Sequence, residues 1–153
     1  MLVTKNKKMK ENGTEENAKL ENQLCFHLYA ASRLITKCYQ PVLDELEITY
    51  PQYLVLMVLW EDDQVNLNWL SGKLMLQSNT LTPLLKRMQE QGLLVRERSS
   101  IDERNIVISL TDKGKILKLE VPRLQQQLTD IGIDPDEVTQ LRVLLSKILK
   151  NGL

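Results

Sequence analysis

The sequence predicts a mainly helical fold with one short β-hairpin, an α+β chain in which strands are the minor part. Three observations carry this. Leu dominates the apolar residues, and aromatic residues make up only 5% of the 153. Apolar residues recur at helical spacing from Leu24 to Ile148. The period drops to two only in "LVRER" and "NIVISL", which the polar "SSIDER" joins, as two strands and a turn require.

A chain of this length suits one domain and can bury a core without metal or disulfide staples. Hydrophobic residues make up 42% and charged residues 26%, an ordinary soluble balance. No apolar run approaches the roughly 20 residues that span a bilayer, so no membrane partner is expected. The start, "MLVTKNKKMKENGTEENAK", has lysines with no apolar segment behind them and does not read as a secretory signal. A solvated, disordered tail is expected over 1–17, ahead of a single domain over 18–153. Two cysteines without a signal point to a reducing, cytoplasmic location, where thiols are free, catalytic or sensing. The 20 basic and 20 acidic residues cancel, a balance that neither supports nor excludes nucleic-acid binding. Their distribution is more telling. Between Asn66 and Arg98, Lys73, Lys86, Arg87, Arg96 and Arg98 face only Glu90 and Glu97.

Taken in order, Leu24, Leu28, Ala31, Ile35, Cys38 and Val42 make one apolar stripe on a first helix, which Pro41 is expected to end or kink. Thr49 to Gln52, "TYPQ", fits a capping box. The "YLVLMVLW" that follows is apolar on every side, as a buried central helix would be. "EDDQ" breaks the pattern before a short helix, Leu67 to Leu74. Leu81, Leu84, Leu85 and Met88 then line one face of a further helix, closed by Gly92. Ser78, Asn79 and Thr80 are each competent to cap its start, and Pro83 belongs in or just after its first turn. Thr82, Pro83, Lys86 and Glu90 take the opposite face. In the hairpin, Ile106, Ile108 and Leu110 share one side. Thr111 caps another helix, which Pro122 bends or interrupts. Asp134, Pro135 and Glu137 open a last one, with Val138, Leu141, Leu145 and Ile148 expected inward.

Two short helices in close succession, followed by a charged hairpin, read as a winged helix-turn-helix over about 49–115. In that arrangement the second helix enters the major groove, while hydroxyls and cations hold phosphates. The candidate DNA-binding residues are Ser78, Thr80, Thr82, Pro83, Lys86 and Arg87 on the helix, with Arg96, Arg98 and Arg104 on the wing. A polar face with two cations is, by itself, more often a solvated face; the order of elements tips the balance. Helices over about 20–46 and 112–150 have apolar stripes with no use inside the winged core. They suit a homodimer on a palindromic double-stranded operator, although packing within one chain would also satisfy them.

"DERNIVISLTDKG", from Asp102 to Gly114, and the order of elements resemble the multiple-antibiotic-resistance regulator (MarR) family. More narrowly, "LCFHLYAASRLITKCYQPVLDELEITYPQYLVLMVLWE" and "TLTPLLKRMQEQGLLVRER" are similar to its organic-hydroperoxide-resistance regulators. The resemblance covers about residues 20 to 115. It implies a DNA-binding repressor, not an enzyme, with Cys25 as the peroxide-sensing thiol. It also implies that Tyr39 and Tyr50 of the partner subunit bond that thiolate, with Tyr29 a further tyrosine nearby. The chain departs from the family pattern in reading Gln77, Ser78 and Asn79 before "TLTP", and in having no second cysteine near its C-terminus.

The residues make a separate case for Cys25. With Asn22 as cap it stands at N3 of the first helix, where orphan N–H groups and the helix dipole favour a thiolate. Peroxide would convert it to a sulfenic acid. The plain alternative is a buried, inert small residue. Cys38 lies on the apolar stripe and reads as packing. An intrahelical bond between the two is excluded, because thirteen residues at 1.5 Å rise put them about 20 Å apart. Oxidised Cys25 would then end as a mixed disulfide with a low-molecular-weight thiol, as a sulfenamide, or over-oxidised. His27, the only histidine, has no clustered ligands and reads as a helix-surface residue; neither metal nor cofactor is expected. Trp60 and Trp69 read as core or interface anchors, and Asp102 and Arg104 as a pair shaping the wing turn. Competing functions are release of DNA on binding a small aromatic ligand, a thiol peroxidase, and an architectural DNA binder with a vestigial cysteine.

Overall fold

Apolar stripes and caps convert into seven α-helices and a small sheet among the described residues. The structure, a computed structural model, describes residues 18–99, 105–128 and 131–151. The tail expected over 1–17, and Asp102 and Arg104, lie outside the described residues. The chain groups into two compact units, one ending at Cys38 and the other beginning at Tyr39.

In the first unit a 3-10 turn, Leu20–Asn22, leads into helix α1, Leu24–Glu45, whose residues from Tyr39 onward belong to the second unit. Little of the α1 stripe is covered here: Leu24 and Ala31 are exposed, and Leu28, Ile35 and Cys38 only half-buried. Pro41 does not end the helix, which runs on to Glu45. Proline removes one backbone donor, but Pro41 itself is exposed while Val42 and Leu43 beside it are buried. Burying those two, at about 1.5–3 kcal/mol each, offsets the lost bond.

The second unit contains α2 (Tyr50–Glu61), strand β1 (Val65–Asn66), α3 (Leu67–Leu74) and α4 (Ser78–Glu90). It continues with β2 (Leu94–Arg98), β3 (Ile106–Leu110), α5 (Asp112–Ile116), α6 (Val121–Gln126) and α7 (Pro135–Asn151). The capping box at Thr49 is present: Gln52 N–H donates to Thr49 Oγ1 at 3.5 Å, and Thr49 N–H to Gln52 Oε1 at 2.8 Å. As its all-round apolar sequence requires, α2 is the central helix, with Tyr53, Val55, Leu56, Val58 and Leu59 buried. Leu70 from α3, Leu81, Leu85 and Met88 from α4, and Leu94 and Ile108 from the sheet complete the core.

The sheet has three antiparallel strands in the order β1-β3-β2, so the hairpin is joined by a third strand at Val65↔Ile108. Two residues are too short for a periodicity to show, and β1 was not legible in the sequence. Ile108 and Leu110 are buried as expected, whereas Ile106, at the open end, is 36% exposed.

The α4–β2–α5 junction is closely fitted. Gly92 has φ +72, and the N–H groups of Gly92 and Leu93 donate to Gln89 O and Met88 O, a Schellman closure of α4. Thr111 caps α5 by accepting from Gly114 N–H, and its own hydroxyl donates to Gly92 O at 2.6 Å. Pro122 does interrupt the helix after Thr111: a 3-10 segment, Leu117–Glu120, separates α5 from α6. Asp134 and Glu137 cap α7 reciprocally, as read. Its apolar face is not inward, however. Val138, Leu141 and Ile148 are exposed, Leu145 is half-buried, and no residue of α7 is buried. A 17-residue helix with such an apolar face, uncovered among the described residues, gains stability from a further surface.

Candidate nucleic-acid interface and thiol site

Helix α4 buries Leu81, Leu85 and Met88. At 100° per residue, the ridge opposite them is Asn79, Pro83, Lys86 and Glu90, all exposed. None of Ser78, Asn79 and Thr80 is the cap; Gln77 takes that place without a side-chain bond, and its carbonyl accepts from Thr80 and Leu81 N–H. The helix therefore starts earlier than their side chains suggest, and Pro83 stands one turn deeper, in its interior. The amides of Ser78 and Asn79 have no partner within the helix and point out of its N-terminus, a place that favours anions such as phosphate. Freed from capping, the side chains of Ser78, Asn79 and Thr80 are exposed there. Asn79 is absent from the sequence-derived DNA-binding set, whose polar members at the helix start are the hydroxyl residues Ser78, Thr80 and Thr82.

The cations divide. Lys86 is on the outer ridge, and Arg98 is exposed at the tip end of β2. Arg87 turns aside to line a notch with Asp44, Glu47 and Glu90. Arg96 is half-buried, its Nε donating to Gln89 Oε1 at 2.8 Å, so it ties the wing to α4. Arg104 lies outside the described residues. Thr82, exposed, leans toward the wing side of α4. Neither tryptophan is a simple anchor. Trp60 is half-buried with Nε1 donating to Gly114 O at 3.0 Å; Trp69 is 38% exposed, with the Lys73 ammonium 5.4 Å from its ring centroid.

Cys25 is exposed and is the second residue of α1. Asn22 does not cap this helix. It ends the 3-10 turn, its N–H donating to Lys19 O, and Gln23 takes over: its carbonyl accepts from Phe26 N–H, His27 N–H and His27 Nδ1. Cys25 thus remains in the first turn, one position nearer the helix start than read, and no acidic residue shares that turn. Cys38 is half-buried, with Sγ 3.3 Å from Leu34 O. His27 is an exposed helix residue. Tyr29 is exposed, with the Arg33 guanidinium 5.5 Å over its ring.

In the second unit Tyr39 and Tyr50 do come together, with ring centroids 5.5 Å apart. Tyr53 joins them at 5.9 Å from Tyr39 and 6.2 Å from Tyr50, and contacts Trp60 at 6.1 Å. Burial raises the pKa of Tyr50 above its usual 10.0; burial, and then the charge of Tyr50, do the same for Tyr53. The phenols therefore stay protonated and able to donate throughout the neutral range. Tyr53 was missed in the sequence, although its i+3 spacing from Tyr50 puts both on one helical face.

A winged helix-turn-helix whose second helix has an N-terminus without a side-chain cap and an exposed ridge carrying Lys86 defines a DNA-binding transcription regulator. The comparisons agree. The transcriptional regulator SarA/Rot family model matches residues 37–121. The organic hydroperoxide resistance transcriptional regulator of Bacillus subtilis is 56% identical over 103 residues, 67% of this chain and 70% of that protein. Reduced AbfR bound to DNA superimposes with TM-score 0.77 at 40% identity, over 90% of this chain and 97% of that one. A disulfide-formed state of AbfR, a protein of Staphylococcus epidermidis, superimposes with TM-score 0.65 at 40% identity, over 92% and 97%. The chain belongs to the MarR family of winged-helix transcriptional regulators, in its organic-hydroperoxide-resistance branch. It is a regulator rather than an enzyme.

Proposed function

We propose that the protein is a dimeric repressor that holds a palindromic operator while reduced and releases it when an organic hydroperoxide oxidises Cys25. The observation that carries this reading is the exposed thiol in the first turn of α1, in a chain 56% identical to an organic hydroperoxide resistance regulator. The Cys25 thiolate attacks the distal peroxide oxygen. An S–O bond forms as the O–O bond breaks, sulfur loses two electrons, and the alkoxide leaves to take up a proton as alcohol. A phenol that donates to a thiolate meets a different group once oxygen is attached. Tyr39 and Tyr50, the latter kept protonated by its burial, are the donors in this reading, reaching Cys25 of the partner subunit, with Tyr29 a further neighbour.

On the DNA side, Asn79, Pro83 and Lys86 face base edges. Ser78, Thr80, Thr82, Arg98 and Arg104 hold phosphates, and Arg96 fixes the wing. The exposed apolar faces of α1 and α7 bury against a second copy, which makes the helices over about 20–46 and 112–150 the dimerisation elements around a winged core over about 49–115. A soluble cytoplasmic regulator of this kind meets a low-molecular-weight thiol after oxidation, giving a mixed disulfide at Cys25. In AbfR a disulfide-formed state exists.

The test is DNA-binding anisotropy at fixed salt, with reduced protein on a labelled fragment of its own upstream region and stoichiometric cumene hydroperoxide added. Wild type is expected to lose affinity by at least about tenfold, and Cys25→Ser to stay bound. Release of both proteins, or of neither, would remove Cys25 as the switch.

A further inference from the structure

Gln52 is the one buried polar side chain among the described residues, 3% exposed on a helix that is otherwise apolar all round. Both ends of its amide are engaged. Oε1 accepts from Thr49 N–H at 2.8 Å, and Nε2 donates to Gln91 Oε1 at 2.8 Å. Gln91 Nε2 in turn donates to Glu47 O at 3.0 Å. The result is a head-to-tail amide chain that crosses 39 residues of sequence and joins two helix ends. One is the first turn of α2, two residues from Tyr50. The other is the C-cap of α4, whose backbone N–H closes on Arg87 O and whose carbonyl accepts from Lys113 Nζ. Gly92, in the left-handed conformation, follows immediately and turns the chain into the wing.

Stability does not require this arrangement. Gln52 is buried and Gln91 exposed, and a polar contact replaced on both sides by apolar groups of the same shape is close to neutral in stability. What two directional bonds do supply is a single relative placement of the groups they join. An apolar contact at this place would let α4 slide by fractions of an ångström along α2; an amide pair with both ends committed does not. Ridge residues at the far end of α4 read out such a displacement directly, because base-edge contacts tolerate little misplacement.

We propose that the Gln52–Gln91 amide pair positions α4 and the wing for operator DNA, holding them in register with the first turn of α2. This rests on the reading of α4 as the DNA-recognition helix. Gln52 and Gln91 touch no DNA; they are positioning residues. Their location between Tyr50 and the α4–wing hinge makes the pair the direct bonded link from that tyrosine's helical turn to the DNA-contacting helix.

The test is a double-mutant cycle on operator affinity, read by anisotropy with the labelled upstream fragment: Gln52→Met, Gln91→Met and the double variant, with thermal unfolding of each. Each single variant is expected to weaken binding about three- to tenfold with its melting midpoint within a few degrees of wild type, and the double to be no weaker than the worse single. A charge-assisted exchange, Gln52→Glu with Gln91→Lys, is expected to recover affinity to within about twofold: a carboxylate still accepts from Thr49 N–H, and the bond across the gap is kept with its direction reversed, lysine donating where Gln91 Oε1 accepts. Wild-type affinity in both single variants overturns the proposal. So does a double variant whose loss is the product of the two, or losses that follow only the fraction unfolded. Lys86→Ala, run beside them, separates the two readings. If it binds as tightly as wild type, α4 is not the DNA-reading helix; if it is weakened while the amide variants are not, that reading stands and the positioning role falls.

Discussion

Gly114 shows how a single residue can constrain the DNA-binding unit. A Cβ at this position would stand 2.1 Å from Leu93 O and 3.0 Å from Leu110 Cδ2, so the first obstacle is backbone and cannot rotate away. Gly114→Ala is expected to cost about 3 kcal/mol or more, read as a fall in the urea midpoint with an unchanged slope. A loss below about 1 kcal/mol would show that the α4–β2–α5 junction yields more easily than its contacts imply. At the same scale the motif around Cys25, Tyr39 and Tyr50 marked them as candidates, and the structure has Cys25 exposed and the two phenol rings in contact. The sequence could not show that Tyr53 completes the phenol cluster, or that Arg96 is bound to Gln89 and Arg87 turned toward Asp44 and Glu47. A cation's sequence position says which element carries it; its partner depends on what packs alongside.

Helix ends were the most legible feature at the level of elements, because capping chemistry is local. Thr49 with Gln52, Thr111 with Gly114, and Asp134 with Glu137 all form as their spacing indicates. Thr49→Ala removes the acceptor for Gln52 N–H and is expected to cost about 1 kcal/mol, measurable by the same urea titration; an unchanged midpoint would mean the α2 start is held by tertiary packing instead. Local chemistry misled at two other ends. Asn22 and the Ser78–Thr80 group both contain good capping residues, yet Gln23 and Gln77 start the helices. At α4, the buried positions Leu81, Leu85 and Met88 set where the helix must lie, and packing overrode the preference of a hydroxyl for the cap. The two-residue strand β1 is likewise decided by its neighbour β3, since so short a segment has no period of its own.

For the molecule as a whole, the exposed face of α7 is the clearest demand for a partner. Leu141, Leu144 and Ile148 are about half exposed on a helix with nothing buried, and apolar surface of that extent is an association surface. The dimer reading predicts that Leu141→Glu combined with Leu145→Glu yields monomers in sedimentation velocity where wild type sediments at twice the chain mass. Operator affinity should then fall by about 100-fold or more, because two half-sites are no longer engaged together. A variant that remained dimeric would move the interface to the exposed part of α1.

The sequence by itself determined the class of fold, the order of its elements, most of the caps and the thiol in the first helical turn. These depend on periodicities and short-range chemistry that the chain carries in full. Only the tertiary structure decided which cations are free and that Tyr53 joins the other two phenols. The same holds for Gln52, which reaches across 39 residues to Gln91. Such contacts are set by side chains meeting from distant segments, where burial and directional bonding select one partner out of many that the sequence would allow.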